Sequence, residues 1–444
     1  MREKHEKQRS LVVPAVEDPI AKELVGIRAI LDDNPTAVDL VAQDLVAGGT
    51  SALVGRPGMS AERVLRALVL KKVRGLTYDE LEFHLKDSRT FRWFVGFGLD
   101  EPPPSGSTLQ ANIARIQPAT LQKINETLCL WARRCGVEDG QRIRTDCTVV
   151  ESNIHHPSDS SLLLDVVTTA VRLMGAAVLL MPGLEFSDHT RAAKRRAMEI
   201  NYARRKEKRQ KPYRQLVRLT KRTLEYAADA HKALDGTIPG LEVQLGVLLD
   251  LGQRVINQTE RRVFQGESVP AEEKIVSIFE PHTDIIIKDY RNVFYGHKVC
   301  LSSGRSGLIT DCEVESGNPA DSNLVERTLG RHVDLYGRAP EQFTCDGGFA
   351  SRANLEFAKE LGVVDVCFTK GRGMTVDEMV SSHRVYRELR RFRAGVESGI
   401  AYLKKAFGWV RCDWRGWEAF QRYVHSSVLA CNLMILARQL TDTG

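Results

Sequence analysis

The segment QRIRTDCTVVE, Gln141–Glu151, is the part of the sequence on which the fold assignment depends. It alternates in polarity and is rich in β-branched residues, a pattern that predicts a β-strand. Asp146 lies in the middle of this strand, where a carboxylate is unfavourable and is costly if buried without a partner. Another group must therefore compensate the charge of Asp146.

Further strands are predicted downstream, and helices alternate with them. YGHKVCLSS and GLITDCEVES predict a hairpin with its turn at Gly304–Gly307. Three more strands are predicted by SIFEPHTDIIIK (277–288), by QFTCDGGF, whose strand ends at Asp346, and by VVDVCFT (Val363–Thr369). Strands followed by alternating strand and helix are typical of a mixed α/β sheet. The helical segment from residue 152 to about residue 271 is predicted to be inserted after the first strand.

Residues 1 to about 140 have helical patterns. SAERVLRALVLKKVRG, Ser60–Gly75, begins at a Ser cap and ends at a Gly. Two shorter helices follow, each opened by a Thr or Asp cap, and the three predict a compact unit of the helix-turn-helix kind. This signal for DNA binding is weak by itself, because most three-helix units do not bind DNA. EPPPSGS, Glu101–Ser107, predicts a linker.

The composition argues against a membrane protein and a secreted protein. The longest apolar run, Leu173–Met181, is far shorter than the roughly 20 residues of a membrane-spanning helix. The N-terminus, MREKHEKQRS, lacks the apolar segment of a secretory signal. The nine cysteines are scattered and include no C-x-x-C pair, which argues against a disulfide framework and a zinc ribbon. We therefore expect a cytoplasmic protein of two or three domains.

Positive charge is concentrated in one segment. The net charge of the chain is +6, but the tract Arg191–Arg222 contains 14 Lys or Arg against Glu199 and Glu207 and carries +12. The rest of the chain therefore carries −6. A local basic element on a mildly acidic protein is typical of a nucleic-acid-binding surface. A solvated basic helix is the alternative.

A helix near the C-terminus has a charged stripe. In RAGVESGIAYLKK, Arg393, Glu397 and Lys404 fall within roughly 60° of one another on a helix. One interpretation is a solvated face with an i,i+4 ion pair. The other is a carboxylate that holds a metal ion while its two neighbouring cations hold phosphates.

Asp346 is a further candidate, at the end of a predicted strand. Gly347 and Gly348 follow it and would let a ligand approach closely, although an Asp-Gly turn is the simpler interpretation. Two strand carboxylates and one helix carboxylate can bind two Mg²⁺ ions about 3.5 to 4 Å apart and activate a phosphodiester for attack. In this hypothesis Asp146, Asp346 and Glu397 hold the ions.

The order of these residues resembles the DDE transposases of bacterial insertion sequences, and most closely the ISNCY-type group. The resemblance rests on Asp146 in RTDCTVVESN, Asp346 in FTCDGGF and Glu397 in an R-x3-E-x6-K pattern. It extends to the N-terminal helical unit and to YGHKVCLSSGRSGLITDCEVESGNPADS, and covers most of residues 50–436. Related elements often have a Tyr three residues before the arginine that corresponds to Arg393. This chain has Arg390 at that position.

The resemblance implies an α/β fold with an RNase H-like mixed sheet, a long helical insertion after the first strand and a preceding all-α N-terminal domain. It also implies a transposase that uses two Mg²⁺ ions, with Mn²⁺ as a substitute, to cleave element ends and join them to target DNA. The implied partners are double-stranded DNA with terminal inverted repeats and target DNA, bound by a homodimer or a higher oligomer without membrane association. The expected location is the bacterial cytoplasm, on the nucleoid.

The resemblance also assigns a role to each segment. We expect an N-terminal helical extension (1–50), a helical DNA-binding domain (51–138), a catalytic domain (139–151 and 273–436), a basic helical insertion (152–272) and a C-terminal tail (437–444). The expected DNA contacts are Arg393, Lys404, Lys298, Arg195, Arg196, Arg204, Arg205, Lys206 and Arg209.

Alternatives remain at the level of function and of single residues. An RNase H-like nuclease without strand transfer and a catalytically inactive DNA-binding derivative are the rival functions. His155 is better explained by a turn than by metal binding, Asp321 by a helix cap, and Trp409 by core packing. His297 is expected either at a solvated edge or in contact with DNA.

Overall fold

The computed structural model describes residues 2–5, 18–47, 58–98, 100–234, 236, 238–288 and 292–442. It divides into a first unit, Met1–Glu151 with Lys298–Gly444, and a second unit, Ser152–His297. The second unit begins where the predicted insertion begins, but it ends at His297 and not at residue 272. The predicted N-terminal segments and most of the predicted catalytic domain belong to the first unit, whereas residues 273–297 of the predicted catalytic domain belong to the second. Residues 48–57, which include the start of the predicted DNA-binding domain, lie outside the described residues.

Helices make up most of the structure, and several begin and end at caps that are visible in the sequence. Ser60 accepts a hydrogen bond from the Arg63 N–H at the start of the helix that ends before Gly75, which is left-handed. Thr77 begins the next helix as predicted, whereas the third is capped by Ser88 and not by an Asp. In the described part of the chain the helices are α1 (Pro19–Asp32), α2 (Pro35–Val46), α3 (Ala61–Arg74), α4 (Tyr78–Asp87), α5 (Arg89–Val95), α6 (Gly106–Ile113), α7 (Pro118–Arg134), α8 (Asp159–Leu180), α9 (Thr190–Tyr202), α10 (Lys206–Ala233), α11 (Pro239–Thr259), α12 (Val325–Tyr336), α13 (Arg352–Glu360), α14 (Val376–Met379), α15 (His383–Ala406) and α16 (Trp417–Asp442).

The strands form a mixed sheet, which confirms the predicted α/β class. The strands are β1 (Arg142–Ser152), β2 (Asp284–Lys288), β3 (Asn292–Ser303), β4 (Ile309–Val314), β5 (Gln342–Cys345), β6 (Asp365–Phe368) and β7 (Arg411–Cys412). In the first unit the path is β3-β1-β5-β6, with β4 paired to β3 and β7 paired to β1. β5 is parallel to both β1 and β6, and β4 is antiparallel to β3.

Two strand predictions have different outcomes. The hairpin is confirmed, because β3 and β4 flank a turn in which the Gly304 N–H donates to the Leu308 carbonyl. The strand predicted over 277–288 is shorter, since β2 begins only at Asp284. The residues before β2 form turns instead, and Ser277 Oγ accepts hydrogen bonds from the backbone N–H groups of Phe279 and Glu280.

The second unit is a helical bundle that carries one strand pairing. α8, α10 and α11 pack against one another, and α9 packs on α8 and α10. β2 pairs antiparallel with the first half of β3, from Asp284 opposite Gly296 to Lys288 opposite Asn292. Among the described helices, α8 is long and apolar enough to cross a membrane by length and composition, a test that a core helix also passes. Leu163 and Val166 of α8 are buried in the bundle core.

The C-terminal helix α16 forms the centre of the core of the first unit. It packs against α1, α3 and α7. A Cβ at Gly26 of α1 would lie 3.0 Å from the Cβ of Ala437, so the two helices approach closely there. Because α16 continues to Asp442, most of the predicted tail, residues 437–444, is helical. Trp409 is fully buried, which confirms its predicted packing in the core.

Two buried histidines should make the first unit sensitive to acid. Burial lowers the pKa of His425 in α16 and of His332 in α12 from 6.5 to about 4. The folded state holds both rings neutral, so stability is present above pH 6.5 and is lost as the pH falls toward 4. The unfolding free energy of the unmodified chain should fall between pH 6.5 and pH 4. In His425→Leu this fall should be smaller by about 3 kcal/mol. Urea unfolding at a series of pH values measures this. The same substitution at the exposed His383 should leave the pH profile unchanged, and identical profiles for His425→Leu and the unmodified chain would contradict the prediction.

Candidate functional site

Asp146 lies on β1, and its charge is compensated by a cation from α15. Its side chain is 14 % exposed. Oδ1 accepts a hydrogen bond from the Cys147 N–H at 2.8 Å, and Oδ2 accepts one from Arg393 Nη2 at 2.9 Å. The group that the mid-strand carboxylate requires is therefore Arg393, 247 residues away in the sequence.

The register of β1 and β5 places Asp346 beside Asp146. The last paired residues of these parallel strands are Thr145 and Cys345, so the two aspartates are the next residues on neighbouring chains. Adjacent strands are about 4.8 Å apart, and residues in register point to the same face. Asp346 Oδ1 also accepts a hydrogen bond from the Gly348 N–H at 2.7 Å. Two carboxylates from different strands thus lie at one place on the sheet.

The cysteine thiols that flank the two aspartates are neutral. A hydrogen bond with Cys300 and then burial raise the pKa of Cys147. Burial and then the charge of Asp346 raise the pKa of Cys345, to which the charge of Asp146 also contributes. Because the thiolate is the form that attacks, these thiols are not candidate nucleophiles.

A third aspartate, Asp321, adjoins the site and was missed in the sequence. A Cβ at Gly348 would lie 2.9 Å from Asp321 Oδ2 and 2.9 Å from Asp346 Oδ1, so both carboxylates approach one backbone position. The predicted helix-cap role of Asp321 is wrong, because the cap of the 3-10 turn Asp321–Leu324 is Ala320. Because Asp321 lies at the start of a predicted helix, a capping role was sufficient to explain it. The sequence alone did not reveal its approach to Gly348 and Asp346.

Gly348 has no side chain, and this leaves the space that the carboxylates of Asp321 and Asp346 occupy. We expect Gly348→Ala to displace Asp321 and Asp346, because a contact of 2.9 Å is shorter than normal packing allows. The expected result is a loss of any activity that depends on these two carboxylates, with little change in thermal unfolding, since the displaced atoms are side-chain ends. Gly362→Ala is a poor control because Gly362 has a positive φ. Gly330 is a suitable one, because a Cβ added there would have no other atom within 4 Å. Full activity of Gly348→Ala would contradict the prediction.

α15 carries Glu397 and is held to β1 by a second arginine. Arg144 of β1 donates from Nη1 to the Phe392 carbonyl at 2.8 Å. The next residue, Arg393, donates from Nη1 to Oε1 of Glu397, one helical turn further along α15, at 2.7 Å. One guanidinium therefore contacts both Asp146 and Glu397, and the predicted i,i+4 pair on α15 is present.

The other two cations predicted near the site are placed differently. Lys404 lies on α15 and is half-buried. Lys298 is bound within the protein, because its Nζ donates to Asp321 Oδ1 at 2.7 Å and to the Pro319 carbonyl at 2.6 Å. This placement supports a role for Lys298 in positioning Asp321, and its contact with DNA stays a prediction.

The three predicted metal ligands are related pairwise. Asp146 adjoins Asp346 through strand register, and it is joined to Glu397 through Arg393. Within the described ranges, no three His, Cys, Asp or Glu side chains already form a group that could hold a metal ion. The donor set nevertheless fits Mg²⁺, because hard cations prefer carboxylate oxygens. Binding by all three carboxylates requires Glu397, which is 63 % exposed, to turn toward the aspartates.

The predicted DNA contacts of the second unit lie on α9, in the connection between α9 and α10, and at the start of α10. Two of them already have partners: Arg196 Nη1 donates to Glu199 Oε1 at 2.6 Å, and Arg209 Nε donates to the Ala203 carbonyl at 2.7 Å. The exposed members of the set are Arg195, Arg204, Arg205 and Lys206. These four side chains are available to a phosphate backbone.

Histidines near the strands have structural partners. His155 Nε2 lies 3.3 Å from Asp165 Oδ2, as suits a structural residue. His297 is 1 % exposed and contacts Asp284 Oδ2 at 2.9 Å and His282 Nδ1 at 2.8 Å. The prediction that His297 is solvated or contacts DNA is therefore wrong, because its ring lies within the second unit.

Two family models match the chain. One, described as a transposase domain (DUF772), matches residues 22–115, and the other, described as a transposase DDE domain, matches residues 288–433. Together they cover just over half of the chain. The second match includes Asp346 and Glu397, whereas Asp146 lies outside it.

A curated protein of Rhizobium meliloti, described as uncharacterized protein ORF8 in nfe locus, is 29 % identical to the chain over 157 residues. The alignment covers 34 % of this chain and 73 % of that protein. No solved structure matches. The two transposase models occur in order along the chain, the first over N-terminal helices and the second over β3–β7 and α15. The chain therefore belongs to the insertion-sequence DDE transposases, enzymes that act on DNA.

Proposed function

We propose that this transposase cleaves DNA at the ends of an insertion sequence in a divalent-metal-dependent reaction and transfers the freed strands into target DNA. The observation that carries the proposal is the placement of Asp146 beside Asp346 on adjacent parallel strands, with Glu397 linked to Asp146 through one arginine. Two strand carboxylates and one helix carboxylate are the donor set that two-metal phosphoryl chemistry requires.

The proposed catalytic fold is RNase H-like. Support comes from the order of the strands: β4 pairs with β3, β3 neighbours β1, and β5 and β6 follow parallel to β1. α12, α13 and α15 alternate with the later strands along the chain. The second unit follows β1 directly, in agreement with an insertion after the first strand.

In the proposed site Asp146, Asp346 and Glu397 hold two Mg²⁺ ions. When bound, such ions activate an attacking oxygen and stabilise the leaving oxygen of a phosphodiester. Arg393 and Lys404, on the same helix as Glu397, would bind the phosphates of the cleaved strand. The Lys298–Asp321 pair would hold the position of the loop that follows Asp346.

The proposed reaction has two steps at phosphorus and uses no protein nucleophile. Water first attacks the phosphodiester at the element end, the bond from phosphorus to the 3′ oxygen breaks, and a 3′-hydroxyl is released. That hydroxyl then attacks a target phosphodiester and displaces the target's own 3′ oxygen. One strand is thereby joined to the target, and the protein supplies orientation and charge.

The remaining regions are proposed to bind DNA. Helices within residues 51–138 would recognise the terminal inverted repeats, and the basic insertion would hold the backbone. A homodimer or higher oligomer would bring two ends together, on the nucleoid in the bacterial cytoplasm. This assignment of roles rests on the family and on the exposed cations of α9, of α10 and of the connection between them.

A cleavage assay with strand-level product analysis tests the proposal. The substrate is linear DNA that carries the inverted repeats flanking the coding region, incubated with a plasmid target and Mg²⁺. Joined strands are the expected product. Nicks without joining would instead support a nuclease, and metal-independent binding without any cleavage would support an inactive DNA-binding derivative.

The exposed cations of the second unit should contribute to DNA affinity through counterion release. The triple substitution of Arg204, Arg205 and Lys206 by Ala should reduce the slope of log K against log salt by about 2 to 3, because each phosphate contact contributes about 0.9. Fluorescence anisotropy at several salt concentrations measures the slope. Lys221→Ala is the matched control, because Lys221 Nζ already pairs with Glu260 at 2.8 Å. An unchanged slope in the triple variant would contradict the assignment.

A further inference from the structure

Arg393 occupies an unusual position for a residue expected to bind DNA. Its two terminal nitrogens donate to two different carboxylates, Nη2 to Asp146 at 2.9 Å and Nη1 to Glu397 at 2.7 Å. The side chain is only 16 % exposed. The guanidinium therefore lies between two of the three proposed metal ligands, and its single positive charge offsets part of their combined negative charge.

This contact and metal binding compete for the same oxygens. Asp146 Oδ2 and Glu397 Oε1 are the atoms that the guanidinium holds. A divalent ion bound to these carboxylates would face a positive charge within hydrogen-bond distance of its own ligands, which is electrostatically unfavourable. Metal binding and the present position of Arg393 should therefore exclude each other.

The third donor of Arg393 indicates where the side chain could go. Within the described part of the chain, Arg393 Nε is one of the few buried polar side-chain atoms that have no hydrogen-bond partner. A buried donor without an acceptor is unfavourable, and a guanidinium is best satisfied by an anion that accepts from two of its nitrogens. A phosphate oxygen of bound DNA has this chemistry.

We propose that Arg393 is an internal cation that holds Asp146 and Glu397 until a divalent ion displaces it, and that the released guanidinium then binds a DNA phosphate. The inference rests on the proposed function, because it takes these carboxylates as metal ligands. It adds that Arg393 lowers the affinity of the DNA-free protein for metal and makes metal binding a step that prepares the site for DNA. Arg393 thus acts as a positioning residue before it contacts the substrate.

Metal affinity in the absence of DNA tests this competition. Mn²⁺ binding to the full chain is measured by calorimetry for the unmodified protein and for Arg393→Gln. Removal of the competing charged hydrogen bonds should tighten Mn²⁺ binding by about tenfold or more. Arg331→Gln is the matched control: it removes the same charge and a pair of hydrogen bonds to Asp311, at 2.8 and 2.7 Å, and should not change Mn²⁺ binding. Equal or weaker binding by Arg393→Gln than by the unmodified chain would overturn the inference.

A second measurement uses the unmodified chain and so does not depend on how a variant folds. Phenylglyoxal modifies free guanidinium groups, and peptide mass spectrometry reports the rate at each arginine. Saturation with Mn²⁺ should raise the rate at Arg393 and leave the rate at Arg331 unchanged. A rate at Arg393 that stays constant or falls would overturn the inference.

The outcomes separate this inference from the proposed function. If the unmodified chain binds no Mn²⁺, or if Asp146→Asn binds it as tightly as the unmodified chain, the metal site itself is wrong. If Asp146→Asn weakens Mn²⁺ binding but Arg393→Gln does not tighten it, the metal site stands and only the role of Arg393 as a competing cation is refuted.

Discussion

Asp146→Asn and Asp346→Asn should each lower the rate of strand cleavage by on the order of 10³-fold or more, because each removes a charged ligand worth several kcal/mol in the transition state. Asn is similar in size, and its amide oxygen can still accept the backbone hydrogen bonds from Cys147 and Gly348. The local fold should therefore persist. Single-turnover cleavage of end-bearing DNA with Mg²⁺ measures the rate, and an anisotropy titration measures DNA binding, which should change little.

Asp311→Asn is the matched control for these two variants. Asp311 is also a strand aspartate, but it lies on β4 and is held by Arg331 through two hydrogen bonds. Its substitution should affect stability and leave the cleavage rate within a few-fold of the unmodified chain. Cleavage by Asp146→Asn or Asp346→Asn at the rate of the Asp311→Asn control would refute the assignment of the site.

Lys72→Met should stabilise the protein by about 3 kcal/mol near pH 7 and by about 1 kcal/mol at pH 9. Lys72 lies on α3 and is buried, with Nζ 3.4 Å from the centroid of the Tyr423 ring. Burial lowers the pKa of Lys72 from 10.5 to about 7. The folded state therefore disfavours the charged ammonium, and the contact with Tyr423 offsets only part of this penalty.

The pH dependence follows from the direction of the pKa shift. Below pH 7 the full penalty is present, because Lys72 is protonated in both states and the folded state must hold this charge in a buried position. Between pH 7 and 10.5 the unfolded chain still binds a proton that the folded chain has released, so stability rises with pH and the penalty fades. Urea unfolding at pH 7 and pH 9 tests this, with Lys22→Met, an exposed lysine of α1, as the control. A destabilised Lys72→Met at pH 7 would show that packing around Tyr423 outweighs the charge.

Features with local causes were predictable from the sequence. The caps at Ser60, Gly75 and Thr77 act within one turn of the helix, so the sequence around them is sufficient. β1 was predictable because alternation along a strand directly reflects burial. The position of Asp346 at the end of β5 was predictable because a strand end followed by two glycines is a local signal. The stripe of α15 follows from helical spacing alone.

Features that depend on distant contacts were not predictable. The partner of Asp146 could be expected, but its identity as Arg393 depends on how α15 packs on β1. Asp321 was assigned to a cap because its contact with Lys298 and its approach to Gly348 are long-range. The late start of β2, at Asp284 and not at residue 277, is an exception with a local cause, the turn at Ser277, which the β-branched composition concealed. The continuation of α16 to Asp442 depends on its packing against α1.

The most direct test of the account is anomalous diffraction at the manganese edge from crystals of the full chain grown with Mn²⁺. Two peaks about 3.5 to 4 Å apart are expected, in contact with carboxylate oxygens of Asp146, Asp346 and Glu397, with the Arg393 guanidinium moved away from Asp146. Peaks that contact none of these three carboxylates, or no peak where Asp146 adjoins Asp346, would contradict it.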